Sequence, residues 1–176
     1  MRLNWCTMLI LAVLALAVPA AFADSDHAAE KADLQKVIDA SIGWAIRKDV
    51  NLLYGSMAQD ADFFIFNPDS ATTIIGFEAF KKLAEASWLT DDFKATRYEF
   101  RDLRIHLSRS GDVAWFSAML DDCGEFKGKA GCWKDARYTG VLEKRNGKWV
   151  FCQMHFSFAV DKIRAEARKP DPKGEQ

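Results

Sequence analysis

The sequence predicts an α+β domain in which N-terminal helices pack on a cone-shaped, curved antiparallel sheet. Apolar residues recur at helical spacing as far as Trp88 and at strand-like alternation after Thr90. The strand region is punctuated by turn dipeptides at Ser110-Gly111 and Asn146-Gly147. No internal repeat and no second domain interrupt the chain. Helices gathered on one face of a long sheet require that sheet to bend around them, which leaves a cone with a mouth.

The first residues read as a leader. Arg2 supplies a positive start, Met8 to Val18 is an apolar run too short to span a bilayer comfortably, and Ala21-Phe22-Ala23 is a small-residue cleavage site. Residues 1–23 are therefore expected to be a signal peptide, 24–165 a single domain, and 166–176 a flexible tail holding two of the four prolines. The expected location is periplasmic or secreted, with no membrane association after cleavage. With Arg2 removed, 23 basic residues stand against 25 acidic ones, interspersed along the chain. That pattern excludes a nucleic-acid or anionic-membrane footprint.

Three cysteines follow the leader. Cys123 and Cys132 flank the Gly- and Lys-rich loop "GEFKGKAG", where export favours a disulfide across the hairpin neck. Cys152 falls mid-strand as a free thiol. With no C-x-x-C and no clustered histidine, neither a metal site nor a cofactor is expected.

Each element then follows in order. Leu34, Val37, Ile38, Ser41, Trp44 and Ala45 form the stripe of a helix over 26–48. Asp49 is placed to cap a short helix, "VNLLYGSM", ending near Gly55. "DFFIF" is a short buried strand stopped by "NPDS". "GFEAFKKLAEASW" is a helix with Phe77, Phe80, Leu83, Ala84 and Trp88 on one side. In "TRYEFRDLRIHLS" the apolar parity switches near Arg101-Asp102, which predicts a β-bulge. The strands "DVAWFSAMLDD" and "CWKDARYTGVLEK" and a last one from Lys148 to Phe158 complete the sheet.

The final hairpin admits two registers. A two-residue turn at Asn146-Gly147 puts Lys148 opposite Arg145, whereas a three-residue bulged turn puts it opposite Lys144. The bulged register is preferred because it gives one apolar and one mixed face. It places Arg137, Trp149, Phe151, Gln153 and His155 together on the outside, with Arg137 opposite His155. Two large aromatics on an outer face predict a sheet-to-sheet homodimer. Met154 and Phe156 then face the cavity, with Trp44, Phe66, Trp88 and Tyr138 as an aromatic wall and Asn67 at the mouth. His106 is expected on an outward polar face.

The phrases "GDVAWFSAML … YTGVLEKRNGKWVFCQMHFS" and "DADFFIFNPDSATTIIGFEAFKKL" resemble the SnoaL-like branch of the nuclear transport factor 2-like superfamily. The resemblance covers nearly all of the chain after the leader. It implies the cone fold, an apolar pocket between helices and sheet, and dimers through the sheet's outer face. It does not imply one chemistry, because the superfold hosts isomerases, cyclases, dehydratases, hydrolases and non-catalytic binders.

In ketosteroid isomerase, one member, the base is an acid before a proline after the short strand. That position is Asn67 before Pro68 here, and an amide takes no proton at neutral pH. The first-helix tyrosine aligns roughly with Ser41, and the oxyanion-holding acid falls near Thr139 or Gly140. All three roles are unfilled. Polyketide cyclases of the family use a pocket acid, for which Asp62 or Asp69 would have to turn inward. No catalytic residue is therefore assigned. The expected function is an exported dimer that binds a small apolar molecule. The alternative is an isomerase-, dehydratase- or cyclase-type enzyme using non-standard pocket residues. A pocket acid with a raised pKa would favour the enzyme, and an all-apolar pocket would favour binding.

Overall fold

The computed structural model describes residues 20–167, so the expected leader up to residue 19 and the tail from 168 lie outside the described residues. Helix α1 (Ala20–Arg47) buries Leu34, Ile38, Ser41 and Trp44. It ends where Lys48 takes φ 52°, a left-handed residue that stops a helix. The Asp49 carboxylate then accepts a 2.9 Å bond from the Leu52 N–H and starts α2 (Val50–Gly55). Strand β1 (Phe64–Phe66) is short, and Asp69 caps a 3-10 turn at Ser70–Thr72 just beyond it. Strand β2 (Ile74–Ile75) doubles back on β1 before α3 (Phe77–Leu83), which continues into a π-helical turn at Ala84–Trp88.

Four long strands follow: β3 (Phe93–Leu107), β4 (Val113–Phe126), β5 (Lys129–Arg145) and β6 (Lys148–Ser157). Helix α4 (Val160–Ala167) comes last and was not foreseen. The strands form one six-stranded sheet in the order β2-β1-β6-β5-β4-β3, in which β1 runs parallel to β6 and the other pairs are antiparallel. This is the expected α+β cone: α1, α2 and α3 cover the concave face.

Bulges set the curvature and the faces. The predicted one lies in β3, where Asp102 has φ 53° and the register with β4 shifts between Arg101 and Arg104. A second lies in β5, where Asp135 has φ 53° and the pairing jumps from Leu120↔Ala136 to Asp122↔Trp133. The third corrects the final hairpin. Its turn is the two-residue kind, with Asn146 at φ 51°, Gly147 at φ 77° and Arg145 opposite Lys148. Beyond Leu142↔Phe151 the register shifts at Cys152, so that Val141 pairs with Gln153 and Thr139 with His155.

The preferred uniform register is thus overturned, and so is half of the face it implied. Trp149 (5% exposed) and Phe151 (0%) are buried under the helices. The extra residue at Cys152 flips the parity, and Met154 and Phe156 are buried on the same inner side. Gln153, His155 and Arg137 do face outward, but Arg137 pairs with Ser157. The alternation was misread because β6 uses one register on each side of its bulge.

The core is a slab of stacked aromatics. The Tyr138 ring lies 4.4 Å from Phe156, 4.8 Å from Phe116 and 6.3 Å from Phe151, centroid to centroid. Gly140 makes room for the neighbouring Phe116 ring, since a Cβ there would sit 2.7 Å from both the Gln153 carbonyl oxygen and that ring. Charge pairs tie the start of α1 to the sheet: Glu30 accepts from Lys144 and from the Trp149 indole N–H.

Candidate functional site

The concave face encloses a cavity of about 640 Å³. Helix α1 supplies Ser41, Trp44 and Ala45, and the π turn after α3 supplies Trp88. Asn67 and Asp69 come from the loop after β1, and Met154 and Phe156 from β6. The far wall is the end of the β4–β5 hairpin, including Asp122, Trp133 and the Cys123–Cys132 pair. Most of the lining is aromatic or aliphatic, as expected for a site that encloses a small organic molecule.

Of the residues expected at the pocket, Trp44, Asn67, Trp88, Met154 and Phe156 line it. Tyr138 does not. It is fully buried behind the wall, and its hydroxyl lies 2.8 Å from Ser41 Oγ. The single proton of Ser41 goes to the Ile38 carbonyl at 2.6 Å, so Tyr138 is the donor of the pair. Phe66 is also misplaced: Ile65 is the buried residue of β1, which turns Phe66 outward, 47% exposed, with its ring 5.9 Å from His155. His106 lies exposed on the outer face, stacked on Trp115 at 5.8 Å.

Asn67 Nδ2 donates to the Thr72 carbonyl at 2.7 Å and fastens the loop at the mouth. Asp69 lines the cavity but accepts from the Ala71 N–H as a cap, and Asp62 is exposed. Cys123 and Cys132 are direct partners across the β4–β5 ladder, with Cα atoms 4.0 Å apart and their sulfurs bonded. Cys152 is a half-buried free thiol at the β6 bulge, and burial pushes it up to about 11.

The residue the sequence reading missed is Asp122. Its neighbour Asp121 points to the other side of the sheet, where it accepts from the Asp135 N–H at 2.8 Å and from Arg101 at 2.8 Å. The Asp135 N–H and the Arg101 guanidinium hold Asp121 below the usual carboxylate range. Asp122 has no such help: burial alone raises its carboxyl from 3.8 to about 6. A signal was present, because Ala114, Phe116, Ala118 and Leu120 share the inward parity and Asp122 is the next member of that series. Among the described residues no group of His, Cys, Asp and Glu is arranged to hold a metal ion.

The raised pKa has a consequence for stability. A carboxyl easier to protonate when folded stabilises the fold most below its unfolded value and loses that contribution as pH rises through about 6. Asp122→Asn is therefore expected to gain on the parent by about 2–3 kcal/mol between pH 4 and pH 7.5. Urea unfolding of both proteins at the two pH values checks this, and a pH-independent difference would contradict it.

A cone of this topology with an aromatic cavity defines the NTF2-like class of folds. The chain belongs to the SnoaL-like domain family, whose model matches residues 34–161. Three similar solved structures show the same fold. One, a candidate scytalone dehydratase from Novosphingobium aromaticivorans, is 14% identical with a TM-score of 0.65, covering 87% of this chain and 99% of that one. An NTF2-like protein of unknown function from Pseudomonas putida is 18% identical with a TM-score of 0.58, covering 85% and 98%. The association domain of the C. elegans CaMKII is 18% identical with a TM-score of 0.57, covering 76% and 99%. No curated protein matches the chain by sequence. At these identities the solved structures speak for the fold alone.

Proposed function

We propose that this chain binds a small, mostly apolar organic molecule inside the cone and does so as an exported homodimer. The observation that carries the reading is the aromatic cavity of about 640 Å³. The lining argues for binding over turnover, because two of the polar side chains that line it direct protons to the backbone. Ser41 gives its proton to Ile38 and Asn67 gives an amide proton to Thr72. A reaction that develops negative charge on oxygen needs free donors aimed at it. The neutral dye Nile red is the probe. Saturable one-to-one binding is expected, and it should be lost when Ala45→Trp fills the cavity without changing the circular dichroism. Equal binding to both proteins would sink the reading.

The enzyme reading keeps one specific support, the pocket carboxyl at Asp122 with its value near 6, suited to a general base. An isomerase, dehydratase or cyclase of this kind would route its proton through Asp122.

Dimerisation is supported by what the outer face carries. Trp115 and Phe66 are each 47% exposed and Ile75 is 68% exposed, beside half-buried Met119, Val141 and Val150. Arg137, Gln153 and His155 supply polar groups on the same face. Trp115→Arg is expected to give a folded monomer by sedimentation velocity; a dimer unaffected by the change would count against this face. Export is supported by the Cys123–Cys132 bond, which persists in oxidising compartments. No helix among the described residues is long and apolar enough to cross a membrane.

A further inference from the structure

The cavity and its charges restrict the ligand further. This inference rests on the binding reading above. The wall presents the rings of Trp44, Trp88, Trp133 and Phe156, and it carries Asp122. Asp122 pairs with Trp133 across the β4–β5 ladder, so carboxylate and indole stand side by side on one face. The basic residues nearest in sequence and register are engaged elsewhere: Arg97, Arg101 and Lys134 all reach Asp121 on the opposite side of the sheet. Around the mouth, Asp69 and Glu125 outnumber Lys129, and Lys129 makes no ion pair with Asp122.

An anionic ligand would meet an uncompensated carboxylate. A neutral ligand can enter, but it desolvates that carboxyl further and binds only with uptake of a proton. An organic cation resolves both, since aromatic faces attract its charge and the carboxylate accepts its N–H bonds. The geometry points to an amphipathic amine as the ligand class: an apolar or aromatic body held among the tryptophans, with a protonated nitrogen bonded to Asp122 and flanked by Trp133.

Tryptamine and tryptophol test this, because they share the indole-ethyl skeleton and differ in ammonium against hydroxyl. Calorimetry on the full chain at neutral pH should show tryptamine bound at least about tenfold more tightly. In Asp122→Asn the ratio between the two should fall to near one, and in Asp122→Glu, which keeps the charge, the preference should persist. Circular dichroism establishes that each variant is folded. Equal binding of amine and alcohol to the parent protein overturns the inference, as does an amine preference that survives Asp122→Asn. If neither compound binds while Nile red does, the amine class is wrong and the pocket reading stands. If none of the three binds, both fall.

Discussion

Phe151→Glu should leave no folded protein at 25 °C, whereas Gln153→Glu two residues on should leave stability almost unchanged. Phe151 is completely buried, with its ring 5.8 Å from that of Phe116 and 6.3 Å from that of Tyr138. Its backbone is covered as well, donating to the Ser56 carbonyl at 2.9 Å and accepting from the Ala58 N–H at 2.8 Å. Removing the ring forfeits roughly 2–3 kcal/mol of apolar burial. Placing a carboxylate there without a partner adds several more. Together these match the entire stability of an ordinary domain, about 5–15 kcal/mol. Gln153 is half-buried on the outer face, where a charge keeps its water. Far-ultraviolet circular dichroism and urea unfolding on the two variants decide it. A folded, merely monomeric Phe151→Glu would mean that the inner and outer faces are assigned the wrong way round.

Gly140→Val is the second large effect, with an expected loss of at least ~3 kcal/mol, and Gly140→Ala should lose about 1–3 kcal/mol. The position needs glycine for space. A Cβ would lie 2.7 Å from the Gln153 carbonyl oxygen, which belongs to the neighbouring strand and cannot swing away. It would also lie 2.7 Å from the Phe116 ring and 3.2 Å from the Phe151 ring. The branched side chain of valine would force β5 and β6 apart beside the Cys152 bulge. Urea midpoints measure the loss, and a midpoint within error of the parent would show that the strands have slack here.

Much of this fold was legible because its main elements obey simple periodicities. The stripe Leu34–Ile38–Ser41–Trp44, the Asp49 cap and the parity switch at Arg101-Asp102 each have one local reading, and the structure agrees. The misplaced faces of the final hairpin come from bulges that the sequence does not mark. Strand β6 and strand β5 each contain a residue that belongs to no pair, at Cys152 and near Asp135. Neither is a glycine, so no sequence mark announces the flip, and a uniform register sends Trp149 and Phe151 to the wrong side. β1 fails differently. With three residues, "FIF" carries too little alternation to say whether Phe66 or Ile65 faces the helices. At the pocket, Trp44, Trp88, Met154 and Phe156 could be foreseen from apolar stripes. Asp122 was overlooked as one of two adjacent acids, although the inward series of β4 passes through it.

The bulge at Asp135 also bears on how such a pocket diversifies. Ala136, Tyr138 and Leu142 are committed to the core, while Gly131 and Trp133, before the bulge, face the cavity because the bulge shifts the alternation by one. Pairing this stretch as a regular ladder, with every residue kept, would turn Trp133 to solvent and shift Cys132 out of step with Cys123, yet leave the stacked rings around Tyr138 in place. Whether this spot bulges or runs straight therefore decides which side chains form the far wall of the cone, and with it what the cone accepts, while the scaffold beyond Ala136 stays the same.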